Sequence, residues 1–380
     1  MARRDKGEGT IFKRKDGRWC AKINVTLPNG EIKRVSVVKK DRVAVKAQLD
    51  EWIDLNKKNL ALVEENWTVE SYAKHWLENI LPDRIRFGTI LRYTEVAHKY
   101  ILPNIGKIPL RSLSSRHVQS AIDHLSRRGV GVNTIHKFKL ILSSCLTRAM
   151  REEIVFRNVT QLVELPPYTP KEIIPWTTEQ AQQFLHETKD NNFHIAYSMM
   201  LTYGIRKGEM QGLRWTDIDF LHDKIHIRQQ LCWLAGAFHV GDVKTQAGRR
   251  QLPLIPEIKQ ELLEKAQKNH VEIPSFDPVG QLSMDHLILT TSRGTPVMPR
   301  NLSRSFHLYS DKSGLPRISM HALRHTSATL LKNMGVPVKD VQLILGHANI
   351  STTLAIYQHG NEDSHRSALG AIGAALNGIS

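Results

Sequence analysis

His321-Ala322-Leu323-Arg324-His325-Thr326, followed by Leu345-Gly346-His347 and Tyr357-Gln358-His359, is the stretch on which the reading of this 380-residue chain turns. On a helix beginning near His321, residues 321, 324, 325 and 328 share one side, while Leu323, Ser327, Leu330, Leu331 and Met334 share the other. The apolar side is expected to pack, leaving the His/Arg side to face elsewhere. Two histidines four apart are a zinc spacing, but the Glu that should follow the first is missing and Arg324 between them repels a cation. An anion fits better. Arg presents a planar fork of donors that matches phosphate, and a neighbouring His transfers protons near neutral pH. Upstream, Thr202-Tyr203-Gly204-Ile205-Arg206-Lys207-Gly208-Glu209-Met210 places a second Arg after a Gly turn at a helix start, where the helix dipole also favours anions. Two arginines can neutralise both nonbridging oxygens of one phosphodiester.

The charge distribution widens that inference to a polymer. The chain carries 53 Lys+Arg against 37 Asp+Glu, a formal net charge of +16. Residues 1–40 hold twelve basic and four acidic side chains, residues 41–81 five and eight, residues 82–160 fourteen and five, and the rest twenty-two and twenty. Two basic blocks around an acidic segment, then a nearly neutral half, point to two polyanion-binding modules joined to a part with another task. Nucleic acid is the expected polyanion.

Composition excludes other classes. At 41% hydrophobic and 24% charged, the chain can bury real cores and is expected to form two or three domains. No apolar run approaches the roughly 20 residues of a membrane span. The basic start, Met1 to Lys6, has no apolar region of a secretory signal after it. Cys20, Cys145 and Cys232 are scattered and odd in number, unlike a disulfide framework or a metal clip. A cytoplasmic location is therefore expected, without a membrane.

The expected fold class is multidomain α+β, in three parts. Residues 1–65 read as a three-stranded sheet plus helix: Thr10–Lys13, Trp19–Leu27 and Glu31–Val38 are strands, with Asp16-Gly17 and Asn29-Gly30 in the turns. A helix over 41–62 follows. Arg14, Lys15, Arg18, Lys22, Lys33 and Arg34 decorate the sheet, which can enter a major groove. Residues 66–165 read as a helical bundle, with helices capped by Thr68 and Ser114 or Ser115, others from Leu91 and Asn133, and breaks at Pro103, the Gly106 region and 127–131. Arg92, Lys137 and Lys139 are among its candidate phosphate contacts.

A Pro-rich linker, 166–173, leads to a mainly helical domain with a small sheet over 174–360. Its helices are expected near 179–187, 193–202, 206–213, 256–268, 300–310, 321–334 and 338–345, with strands near 225–230, 237–243 and 249–254. A last helix near 364–375 falls in a tail over 361–380. Thr177-Thr178-Glu179-Gln180 has a capping-box pattern. Trp215 and Trp233 read as core aromatics, and His307, His325 and His359 as structural or surface histidines.

The ordered set Tyr203-Gly204-Ile205-Arg206-Lys207-Gly208-Glu209, Val243-Lys244-Thr245, His321-Ala322-Leu323-Arg324-His325-Thr326, Leu345-Gly346-His347 and Thr352-Thr353-Leu354-Ala355-Ile356-Tyr357 closely resembles the tyrosine recombinases, the phage integrase family. The resemblance covers roughly residues 67–360. The basic amino-terminal segment is similar to the arm-site DNA-binding domain of integrases from phages and conjugative transposons, and the bundle to a core-binding domain.

That resemblance implies a site-specific recombinase of a mobile element, acting through a 3′-phosphotyrosine and a Holliday junction. It implies Tyr357 as nucleophile. Arg206 and Arg324 become the clamp on the nonbridging oxygens. His321 takes the part of base or proton relay and His347 that of a donor to a nonbridging oxygen. Lys244 becomes the general acid, carried on a β-hairpin with Gln246 to Arg249, and Lys224 is its nearest competitor. Glu209 orients the helix that begins at Arg206. The partners implied are double-stranded DNA at core and arm sites, further copies of the chain as a tetramer on DNA, and accessory DNA-bending and excision proteins. No cofactor or metal is implied. Two other readings stay open: a type IB topoisomerase-like enzyme that cleaves and religates one duplex, and a non-catalytic DNA-binding regulator.

Overall fold

In the computed structural model, residues 9–26, 32–57, 67–169, 174–243 and 246–357 are described. The chain divides into two compact units, Met1–Pro170 and Lys171–Ser380.

The first unit opens with strands β1 (Thr10–Lys13), β2 (Trp19–Thr26) and β3 (Ile32–Lys39), antiparallel in that order. Gly17, at a φ of +79°, closes the first turn, and its N–H donates to the Arg14 carbonyl at 3.0 Å. Alternation along β2 sends Ala21 and Ile23 against Val45 and Leu49 of helix α1 (Arg42–Lys57). The Asp41 carboxylate accepts from the N–H groups of Val43 and Ala44 and so caps α1. The expected second turn around Asn29-Gly30, and the helix end up to Leu62, lie outside the described residues.

The bundle has a separate core containing Tyr72, Trp76, Ile122, Ile135, Phe138 and Leu146. Helix α2 (Val69–His75) starts at a reciprocal Thr68–Ser71 capping box and continues through a π turn, Trp76–Ile80. Helix α3 (Phe87–Val96) runs through a second π turn, Ala97–Ile101, into α4 (Leu102–Ile105). Pro103 therefore does not break the helix there. The π turn shifts the ladder, Leu102 N–H bonding the Ala97 carbonyl, and Pro103 then occupies a first-turn position where no donor is needed. Helices α5 (Ser115–Arg127), capped by Ser114, and α6 (Val132–Arg151) complete the bundle.

The second unit comprises α7 (Thr178–Glu187), α8 (His194–Thr202), α9 (Lys207–Gly212), strands β4 (Ile218–Asp219), β5 (Lys224–Ile227), β6 (Gln229–Leu234), β7 (Ala237–Asp242) and β8 (Arg250–Pro253), then α10 (Pro256–Lys268), α11 (Pro299–Lys312), α12 (Met320–Asn333), α13 (Val338–Leu345) and α14 (Ile350–Tyr357). The Thr177–Gln180 capping box forms as expected. The fold is mainly helical with small sheets, as expected. Its core gathers Trp176, Phe184, Tyr197, Met199, Leu262, Leu302, Phe306 and Leu323.

Three sequence expectations fail here. The strand expected near 225–230 is two strands in two sheets: β5 pairs with β4 and β8, while β6 pairs with β7. The short elements β4 and α14 were not expected, being too brief for a clear period. Trp233 is not core: it stands 39% exposed beside Phe238 on the β6–β7 hairpin, because it lies near the tip at an Ala235-Gly236 turn. Trp215 is buried. The expected tail helix, 364–375, lies outside the described residues. Among those that are described, no helix is long and apolar enough to cross a membrane.

Candidate active site

Gly204 makes the first corner of the site. It holds a φ of +60°, and a Cβ there would run into Leu345 Cδ2. Only glycine suits both the backbone and the approach of α13. The turn leaves Arg206 as the cap of α9, where Glu209 accepts from the Arg206 backbone N–H at 3.0 Å and from its Nη1 at 2.6 Å. Glu209 is buried. Burial alone would raise its pKa, but Arg250 and Arg206 outweigh that and hold it low. The second Arg206 nitrogen, Nη2, donates to the Gly346 carbonyl at 3.2 Å.

Arg324 enters from α12, whose first turn Ser319 caps. It is only 4% exposed, which corrects the expectation that its side of the helix faces away from the core. Leu323, Ser327 and Ala328 are buried as well, whereas Met334, expected to pack, is 72% exposed. Backbone carbonyls make this possible: Arg324 Nη1 donates to the Gly204 carbonyl at 2.7 Å. Its Nε donates to His347 Nε2 at 3.3 Å. The remaining nitrogen, Nη2, is buried with no hydrogen-bond partner among the described residues. Burial and Arg206 push the Arg324 pKa down, yet a guanidinium stays charged at neutral pH.

His347 follows Gly346, which ends α13 in the left-handed conformation at φ +67°. Because Arg324 donates to Nε2, the ring proton belongs on Nδ1, which faces the buried Thr353 hydroxyl at 2.8 Å. Burial, then Arg324 and Arg206, depress the His347 pKa to about 4, so the ring is neutral at pH 7. His321 lies exposed one turn before His325, with ring centroids 5.5 Å apart, and partial desolvation with the neighbouring His325 and Arg324 lowers its pKa. Among the described residues no three His, Cys, Asp or Glu side chains gather as a metal set.

Tyr357 ends α14. Its hydroxyl donates to the Val336 carbonyl at 2.6 Å, and its ring packs on a small cluster of Ala328, Val341 and Leu345. Burial raises its pKa. Among the described residues it makes no hydrogen bond to Arg206, His321, Arg324 or His347. The structure thus joins Arg324 to His347 by a direct hydrogen bond, brings Arg206 to the carbonyl of Gly346 just before His347, and leaves Tyr357 bonded to main chain.

Lys244 lies outside the described residues, but its surroundings correct one expectation. β7 and β8 belong to different sheets, so the segment between them is a connection rather than a β-hairpin. Arg249 closes it by donating to Asp242 at 2.9 Å. Lys224 sits exposed on β5.

Of the candidate DNA contacts, Arg14, Lys15, Arg18 and Arg34 are exposed on the amino-terminal sheet or its turn, and Arg92 and Lys137 on the bundle. Arg14 and Arg18 both pair with Asp16. Lys22 lies over Phe12, and Lys139 donates to the Val163 carbonyl at 3.5 Å. Lys33 is placed by its register opposite Val25.

Two further polar residues, Arg250 and Thr353, escaped the sequence reading as site residues. Period-two alternation on β8 carried the signal for Arg250, since it puts this residue on the same face as buried Leu252. Nothing local marks Thr353.

The sequence matches the phage integrase family over residues 176–364 and the phage integrase N-terminal SAM-like domain over residues 68–126. The chain belongs to this family: it is a tyrosine recombinase, an enzyme of site-specific DNA recombination. Within the family it is similar to the integrases and transposases of mobile elements. It is 27% identical to the transposase from transposon Tn1545 of Streptococcus agalactiae over 394 residues, covering 95% of this chain and 94% of the relative. The fold is similar to that of the Tn1549 transposon integrase in complex with transposon right end DNA, with a TM-score of 0.68 and 24% identity over 81% of this chain and all of that one. It is also similar to a lambda integrase tetramer bound to a Holliday junction, with a TM-score of 0.58 and 16% identity over 93% of this chain and 96% of the other.

Proposed function

We propose that this chain is the integrase of a mobile element and that the cluster around Arg324 holds the scissile phosphate. The observation that carries the assignment is electrostatic. Two guanidiniums, Arg206 and Arg250, share one buried carboxylate, Glu209, while the buried Arg324 beside them bonds only the Gly204 carbonyl and His347 and keeps one nitrogen without an acceptor among the described residues. Buried charge without a counter-ion is costly, and a phosphodiester oxygen supplies the missing one.

In the proposed reaction the Tyr357 oxygen attacks phosphorus and the bond to the 5′-oxygen breaks. The tyrosine proton passes to His321 or to water beside it, and Lys244 gives a proton to the departing 5′-oxygen, which leaves as the 5′-hydroxyl. Arg206 and Arg324 meet the charge on the pentacoordinate phosphorus, and His347 adds a hydrogen bond to it once the ring proton moves from Nδ1 to Nε2 and Arg324 Nε turns from the ring to the phosphate. One phosphodiester is exchanged for another, so the bond energy is conserved and ATP has no part. Before attack, Tyr357 must exchange its bond to the Val336 carbonyl for one to the phosphate.

Residues 1–65 are assigned to arm-site binding, 66–165 to core-site binding, 166–173 to a linker, 174–360 to catalysis and 361–380 to a tail that docks on a neighbouring protomer. Four protomers act on two duplexes in the bacterial cytoplasm, with accessory DNA-bending and excision proteins setting direction. The lambda integrase tetramer on a Holliday junction supports the assembly.

The test is a DNA substrate nicked near the cleavage site, which traps the covalent intermediate. Wild type should accumulate a protein–DNA adduct, and Tyr357→Phe should bind equally and form none. An adduct from the Phe variant would reassign the nucleophile, and no adduct from wild type would favour a DNA-binding regulator.

A further inference from the structure

Arg250 is the most heavily committed buried cation beside the site, yet it points none of its nitrogens into free space. Its side chain is 6% exposed. Nη2 donates to Glu209 Oε2 at 3.1 Å, Nε to the Ile344 carbonyl at 2.8 Å and Nη1 to the Gly248 carbonyl at 3.1 Å. These acceptors belong to three separate pieces of the site: α9, which begins at Arg206; the last turn of α13, which delivers His347; and the connection that contains Lys244. The contact with the α13 turn is close. A Cβ on Gly346 would meet the Ala247 carbonyl at 2.8 Å and Arg250 Nη1 at 3.0 Å, so the turn before His347 is seated on residues 247–250.

From this geometry we infer that Arg250 is a positioning residue that holds Arg206 and His347 in register on one phosphate. It acts through Glu209 on one side and the Ile344 carbonyl on the other, and it does not touch DNA. The inference rests on the phosphate site proposed above. A planar fork with donors on three edges satisfies three acceptors at once, whereas a lysine ammonium on its single stem reaches one well. Loss of the fork lets Glu209, and with it the Arg206 guanidinium, shift relative to His347. Displacements of this size matter because donors aimed at a developing charge act only from fixed positions.

The test compares Arg250→Lys with wild type on two nicked substrates, one with the natural scissile phosphodiester and one with a methylphosphonate there. A methylphosphonate is neutral, so its cleavage depends less on aligned cations. Arg250→Lys should bind DNA as wild type does and melt cooperatively. Its adduct formation should fall roughly 100-fold on the phosphodiester and by less than about 10-fold on the methylphosphonate. Wild-type rates on the phosphodiester, or an equal deficit on both substrates, would overturn the assignment, since a merely structural role is blind to substrate charge. If Arg250→Lys does not fold, the double variant Glu209→Gln/Arg250→Gln, which removes the buried charges together, carries the same expectation and the same overturning result. Absence of adduct from wild type on either substrate would instead sink the phosphate site itself.

Discussion

The bundle and the catalytic unit handle positive charge in opposite ways. Residues 82–160 carry a net charge of +9, with Arg92 and Lys137 exposed on helices, while residues 161–380 carry only +2. Yet it is the nearly neutral half that buries Arg250 and Arg324, beside a buried glutamate that Arg250 shares with the half-buried Arg206. Exposed charge is cheap, numerous and interchangeable, and it gives affinity through counterion release. Buried charge is costly and few in number, and it persists only where carbonyls such as those of Gly204, Ile344 and Gly346 compensate it. On the proposed function, net charge therefore reports where DNA is held and says little about where it is cut.

Several measurements can break that contrast or sharpen it. The largest effect should come from Arg324→Lys, which loses the fork between the Gly204 carbonyl, His347 and the phosphate. Adduct formation should fall by about 10²- to 10³-fold with DNA affinity nearly intact. A variant whose binding and cleavage fall in parallel would erase the distinction between the two kinds of charge.

A smaller effect concerns the folded chain without DNA. His347 is held near 4 in the folded state against an ordinary value of 6.5, so between those values the unfolded chain takes up a proton that the folded chain refuses. Its contribution is complete above pH 6.5 and is lost as the pH falls toward 4, amounting to about 2 kcal/mol at pH 5. His347→Gln should therefore lose less stability than wild type between pH 7 and pH 5 in calorimetric melts. Parallel curves for the two proteins would mean that burial, with Arg324 and Arg206, does not hold the ring's pKa down.

The smallest effects belong to the bundle. Arg92→Ala and Lys137→Ala should each weaken binding a few-fold and lower the slope of log affinity against log salt by about 1. Adduct formation at saturating protein should not change. A fall in the saturated rate would place that residue in the chemistry rather than on the backbone of the DNA.

Much of this was legible in local patterns. The turn residue Gly17, the helix caps at Thr68 and Ser114, the capping box at Thr177 and the helix ending at Gly346 all rest on interactions within a few residues, which any reading of spacing can see. Where the pattern misled, a tertiary term had intervened. Pro103 stayed helical because a π turn upstream altered the ladder. Arg324 itself went inward, while His321 on the same side of α12 stayed exposed, because the Gly204 carbonyl, 120 residues away, was there to receive the guanidinium. Trp233 stayed out because it lies near the tip of its hairpin, which among the described residues pairs only β6 with β7. The connection holding Lys244 was taken for a hairpin because strand-like runs flank it, and only pairing can tell whether two such runs face each other.

The sequence by itself determined the family and supplied the candidate side chains, because residue type and short spacing are local properties. Only the tertiary structure decided that Arg250 joins them, that Glu209 is shared, that His347 is neutral and pinned by Thr353, and that Tyr357 rests on the Val336 carbonyl. Each of these depends on groups distant in the chain meeting out of water, where a single hydrogen bond or charge is strong enough to set geometry and protonation.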